Sequence, residues 1–235
     1  MTKQMQDPLS PTQVVAQEVK RARRRRGWSA QTLANRCAEV GAVALNHTAI
    51  TNIENGRRER IGVDELMVLA YVLALPPVQL LVPLGTADEV AILPTVTLPT
   101  TTALAWIEGY EPPMTSDRQA REVKEWREGS NPLARHRELS DALDTVQKAR
   151  DAVETIEAGI EFRGIEDDAS RRRLAARRDA YASALVDLAT ALVAMIGQDI
   201  TPPPILREHL DAMRQLGIAV PESLRAAEDV YGGRP

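Results

Sequence analysis

From Leu139 onward the chain places an apolar residue at alternating intervals of three and four: Leu139, Ala142, Val146, Ala149, Val153, Ile156 and Ile160. On a helix that rhythm aligns all seven along one face for three heptads. A seam this long needs a second apolar surface beside it, and few folds provide one. The sequence supplies it after a loop at 163–169. A second helix is predicted over 170–196, with Leu174, Tyr181, Leu188 and Met195 every seventh residue and Leu185 and Leu192 between them. Arg178 interrupts the stripe, and Gly197 ends it. Together the two helices predict an antiparallel hairpin, or coiled coil, over residues 131–198. The seam is then either the core of a monomeric hairpin or a contact with a second copy. In the second reading Leu139, Val146, Val153, Ile156 and Ile160 form the dimer seam. Residues 199–235 follow as a docking or capping tail, with helices predicted near 205–216 and 221–230.

Aromatics make up only 3% of the 235 residues, with a single Phe, so a large aromatic sheet core is excluded. The apolar residues are mostly Leu, Ala and Val, and the expected class is mainly all-α. A lone cysteine, Cys37, excludes a disulfide framework and any multi-cysteine zinc site. No apolar run approaches the roughly 20 residues of a membrane helix. The N-terminal MTKQMQDPLSPTQ lacks the apolar stretch of a secretion signal. A cytoplasmic, nucleoid-associated setting without membrane contact is expected.

Net charge is −4, but it is unevenly spread. Residues 1–60 hold eleven Lys/Arg against five Asp/Glu, whereas the remainder holds eighteen against twenty-eight. A small basic module on an acidic body is the pattern of a nucleic-acid contact domain.

That basic segment reads as short, capped helices. A disordered arm, 1–11, precedes a helix from Pro11 or Thr12 to Arg26, ended by Gly27. Ser29 caps a second helix, Ala30 to about Val40, with Leu33, Ala34 and Cys37 inward. Gly41 and an apolar loop follow. Asn46 caps a third helix, His47–Asn55, with Ile50 and Ile53 inward, stopped by Gly56. A fourth is predicted over Val63–Leu75 and a short fifth ends near Val82-Pro83. Residues 84–130 read as a connector. It has one or two short strands within 90–99, a helix over Thr100–Glu108 bearing Trp106, and a polar helix over Asp117–Glu128.

A recognition helix must present short polar side chains at the end that enters the major groove. Asn46, His47, Thr48, Thr51 and Asn52 meet that requirement. Asn pairs bidentately with adenine, a Thr methyl contacts a thymine methyl, and His47 can donate to guanine N7 or a phosphate. Arg57, Arg58 and Arg60 follow directly and can reach the phosphate backbone. Lys20, Arg21 and Arg25 add long-range attraction.

Ala22-Arg23 with Gly27, Ser29-Ala30-Gln31-Thr32-Leu33-Ala34, and the string Asn46-His47-Thr48-Ala49-Ile50-Thr51-Asn52-Ile53-Glu54-Asn55-Gly56-Arg57-Arg58 carry a resemblance. So do Val63-Asp64-Glu65-Leu66 with Leu69-Ala70. Residues 14–83, about 70 of the 235, resemble the five-helix lambda-repressor-like helix-turn-helix domain of the xenobiotic-response-element family of bacterial and phage regulators. The wider layout resembles regulators of high-GC actinobacteria. The resemblance implies an internal ion pair between Arg23 and Glu54. Ser29, Gln31 and Arg24 are further candidates for phosphate contact, and Arg24 also adds to the long-range attraction of the basic run. The turn before the third helix is longer than the family's short form by about five residues. Ala30 stands where the family usually has a phosphate-binding Gln, and Gln31 is the nearest substitute.

Enzymatic chemistry finds little purchase. No glycine pattern forms a phosphate-cradling loop. His47, His136 and His209 lack metal-ligand spacing. The acids Glu161, Glu166, Asp167 and Asp168 fall in the hairpin loop, the usual place for a solvated turn. The sequence thus predicts a non-enzymatic, dimeric, sequence-specific DNA-binding regulator without cofactor, acting as a repressor. Its partners would be double-stranded DNA and a second copy, with a protein or small ligand at the C-terminal body. The alternative is an antitoxin or protein-interaction module whose hairpin binds a partner and whose DNA binding serves autoregulation.

Overall fold

The computed structural model describes residues 8–113, 120–164 and 167–227. Residues 1–7 of the expected arm, 117–119 of the expected polar helix, 165–166 of the loop and 228–235 of the tail lie outside the described residues. The described residues form nine helices and one two-stranded sheet, a mainly helical fold. They divide into two compact units, Met1–Trp126 and Arg127–Pro235.

The first helix opens at Pro11, one of the two expected starts, although Ser10 of the expected disordered arm is tied to it. Ser10 caps α1 (Pro11–Arg25) through a reciprocal pair of bonds: its backbone N–H donates to Gln13 Oε1 at 2.8 Å, and Gln13 N–H donates to Ser10 Oγ at 3.4 Å. Ser29 Oγ accepts the Thr32 N–H at the start of α2 (Ala30–Glu39), and Asn46 Oδ1 accepts the Ala49 N–H at the start of α3 (His47–Glu54). α4 (Val63–Val72) is shorter than predicted. Pro76 disfavours helical geometry at Leu75, and the chain leaves the helix through Ala74 at φ +44°. α5 (Val78–Leu81) closes the group. Val15, Val19, Leu33, Cys37, Ile50, Ile53, Leu69, Leu73 and Leu80 form one buried core.

Residues 89–107 are not a free connector. β1 (Glu89–Leu93) and β2 (Val96–Pro99) pair antiparallel around a two-residue turn, with Val90 opposite Leu98. Both are buried with Ala103 of α6 (Thr100–Ile107) and with Val14 of α1. The Ala91 N–H donates to Leu9 O at 3.0 Å, which ties residues 8–10 down as well. β-branched residues punctuated by proline marked the strands; that Val14 faces a second cluster while Val15 and Val19 face the first could not be read from one stripe.

The predicted polar helix and the first hairpin arm are a single helix, α7 (Ala120–Arg163), which runs through Pro132. Proline removes one hydrogen bond and disfavours the interior of a helix, but here it does not end it. α8 (Asp168–Ile196) returns after Gly164, with Asp167 as cap accepting the Ser170 N–H at 2.6 Å. α9 (Arg207–Gln215) and the tail complete the unit. Leu139 and Val146 of α7, Leu185, Leu188, Leu192 and Met195 of α8, Leu210 and Met213 of α9, and Ile205 and Ala226 share one core. The second tail helix does not begin at 221. Ala226 instead pairs with Ile205 in a parallel bridge, the Ala227 N–H reaching Ile205 O at 2.8 Å.

Two of the five proposed seam residues are therefore spoken for. Leu139 is 2% exposed and Val146 not at all, both within their own chain. Val153, Ile156 and Ile160 are half-buried and lie outside that core. α8 is also long and apolar enough to cross a membrane, contrary to the sequence reading, although its Leu185–Met195 stripe is buried against its own chain.

His209 is 2% exposed, and its Nδ1 has no hydrogen-bond partner. Burial pushes its pKa below the ordinary 6.5, with Glu208 opposing and Arg150 assisting. A histidine held neutral in the fold contributes fully above its unfolded pKa. That contribution is lost as pH falls from about 6.5 through the folded value. Acid should therefore weaken the second unit, and His209→Leu should flatten this part of the profile in urea melts from pH 7.5 to 5. An unchanged profile in the variant would reject the assignment.

Candidate nucleic-acid interface

α3 is amphipathic at the scale of single residues. Ile50 is fully buried and Ile53 is 1% exposed. His47 and Thr48 are exposed on its other side, and Thr51 and Asn52 are half-buried. Positions 47, 48, 51 and 52 share one helix face. The Asn52 side chain has no hydrogen-bond partner among the described residues, so both amide atoms are free for an adenine edge. Asn46 differs: its Oδ1 accepts the Ala49 N–H at 3.0 Å. A bidentate pair with adenine uses that oxygen too, so a capping Asn46 would share it between the Ala49 N–H and the base while its NH2 stays free to donate.

Behind this face, Arg23 fixes α3. Its Nε and Nη2 donate to the two carboxylate oxygens of Glu54 at 2.6 Å each, and its Nη1 donates to Trp28 O at 2.6 Å. The Arg23 and Glu54 side chains are 12% and 5% exposed. The hydrogen bonds that Arg23 donates to Glu54 raise its pKa, against the effect of burial, so the guanidinium stays charged. Such forked pairs set orientation as well as distance. One interaction thus joins α1, the α1–α2 turn and α3.

The cations divide into free and committed groups. Arg24, Arg57 and Arg60 are exposed and have no ion-pair partner among the described residues. Arg58 does have one: its Nη1 meets Glu65 Oε1 at 2.5 Å, while Glu65 Oε2 accepts the Gly62 N–H at 3.0 Å. Burial disfavours ionisation of Glu65, but the bonds from Arg58 and Gly62 and the charge of Arg58 outweigh it and hold the carboxyl below its usual range. Arg58 is therefore part of the clamp that starts α4, a role its place in the Arg57-Arg58-Glu59-Arg60 run did not reveal. At the start of α2, Ser29 Oγ serves Thr32, and Gln31 Nε2 donates to Asn35 Oδ1 at 2.8 Å. Both remain exposed.

Trp28 was missed by motif reasoning. The guanidinium groups of Arg26 and Arg36 each lie over its ring, 5.5 and 5.2 Å from its centroid. Cys37 is fully buried, and burial pushes its thiol up to about 11, which removes it as a nucleophile. Among the described residues no group of His, Cys, Asp and Glu could hold a metal ion. Compared with protein-family models, curated proteins and solved structures, the chain matches none.

Proposed function

We propose that this chain is a sequence-specific DNA-binding regulator of the lambda-repressor-like helix-turn-helix type, acting as a dimeric repressor. The observation that carries the reading is the outer face of α3. His47, Thr48, Thr51 and Asn52 are accessible to a base edge while Ile50 and Ile53 anchor the helix from behind. Arg57, Arg60 and Arg24 have free guanidinium groups for the flanking phosphates. The Arg23–Glu54 fork holds the reading helix at one angle before DNA arrives, which lowers the ordering cost of binding. We assign the chain no catalytic step and no cofactor.

Fluorescence anisotropy with duplex DNA across a salt series tests this. If about five cations per protomer meet phosphates, log K should fall with log salt at a slope near −4 to −5 per protomer. Arg57→Ala should reduce the slope by about one. Binding indifferent to salt would reject the major-groove reading. Thr48→Ala and Asn52→Ala should each reduce discrimination between the selected operator and random duplex by about 1–3 kcal/mol. Equal losses on both duplexes would make them phosphate contacts only.

A second reading, a protein-interaction module, draws on α4. Val63, Met67 and Tyr71 lie one turn apart and are 74%, 52% and 75% exposed. A stripe of this kind suits a protein contact better than DNA.

A further inference from the structure

The distal half of the hairpin carries opposite charge on its two arms. Between residues 151 and 162, α7 holds Asp151, Glu154, Glu157 and Glu161 and no base. Between residues 170 and 178, α8 holds Arg171, Arg172, Arg173, Arg177 and Arg178 and no acid. The chain uses this difference only in part. Arg178 Nη2 meets Glu157 at 2.6 Å across the hairpin. Glu154 and Arg171 are held along their own helices, by Arg150 at 2.8 Å and Asp168 at 3.2 Å. Arg172, Arg173, Arg177 and Glu161 are exposed and have no ion-pair partner among the described residues.

The same stretch carries the half-buried Val153, Ile156 and Ile160, which the core formed with α9 does not cover. An apolar strip between an acidic and a basic arm is self-complementary under a two-fold axis, because α8 of each copy then lies on α7 of the other. A foreign acidic helix would match only the basic arm, and a nucleic acid would be repelled by the acidic one. We infer that a second copy of this chain occupies the strip, with Arg172, Arg173 and Arg177 of one copy facing Asp151, Glu154 and Glu161 of the other. The inference rests on the dimeric part of the proposed function, and it moves the contact from the base of the seam to its tip.

Sedimentation velocity on the full chain provides the test. The wild type should be a dimer that weakens as salt rises. The triple reversal R172E/R173E/R177E and the double reversal E154R/E161R should each raise the dimer dissociation constant by about 100-fold, with helical circular dichroism unchanged. Mixed in equal amounts, the two variants should restore the dimer. A monomeric wild type, a dimer insensitive to salt, or two helical variants that fail to complement each other would overturn the inference. Anisotropy on the same samples separates it from the DNA reading. A monomer that still binds duplex with a steep salt slope sinks the pairing alone, and a dimer that binds no duplex sinks the DNA reading alone.

Discussion

Glu54→Ala should cost the first unit about 3–5 kcal/mol, a large share of what holds a domain of this size. The reason is asymmetry. Arg23 is 12% exposed at its side chain and makes two bonds to Glu54 and one to Trp28 O. Removing the carboxylate leaves a guanidinium that can neither ionise differently nor reach water fully. Arg23→Ala should also be destabilising, because it leaves the Glu54 carboxylate, 5% exposed at its side chain, without its forked partner. Replacing both, as Arg23→Met with Glu54→Leu, should recover much of the loss, since a matched apolar pair has no unpaired charge. Thermal melts of the four proteins rank these losses directly. If Glu54→Ala melts within a degree or two of the wild type, the fork is not what fixes α3. The same variant should bind DNA more weakly even where it is folded, because the reading helix is freed from α1.

The first three helices were legible because their signals are local. Ser29, Asn46, Gly27 and Gly56 mark ends through bonds and backbone angles that depend only on near neighbours. The polar outer face of α3 was legible for the same reason, since periodicity alone separates His47 and Thr48 from Ile50 and Ile53. What was not legible depended on competition between partners. Nothing in the run Arg57-Arg58-Glu59-Arg60 says that Arg58 will choose Glu65, seven residues on, over solvent. Asn46 fits cap and base reader equally well by type, and the bond to Ala49 shows that it caps α3. The two helices expected at 117–128 and from 131 run on as one, since α7 continues through Pro132 despite its missing N–H. The start of the second tail helix was misplaced at 221 because a single bridge to Ile205 is a tertiary choice with no sequence period.

Two aspartates placed one heptad apart should separate folding from assembly. Val146 and Val153 occupy equivalent positions in the same 3-4 repeat, and sequence alone gives no ground for treating them differently. The structure does: Val146 is fully buried among α7, α8 and α9, whereas Val153 is half-buried and outside that core. Val146→Asp forces a carboxylate, or a protonated acid without a partner, into an apolar interior, at a cost of several kcal/mol. Helical signal from the hairpin should collapse at 25 °C, and with it any dimer. Val153→Asp lets the carboxylate reach water, so the chain should lose only about 1 kcal/mol and keep its helicity. Its effect should appear in mass: a charge in the apolar strip between two copies is unpaired in the dimer and solvated in the monomer, which shifts the equilibrium toward the monomer. Circular dichroism and sedimentation on both variants therefore give a two-by-two outcome. Loss of helicity in both would place Val153 in the core and remove it from any contact between copies. Retained helicity and retained dimer mass in Val153→Asp would leave the tip of the hairpin without an assembly role.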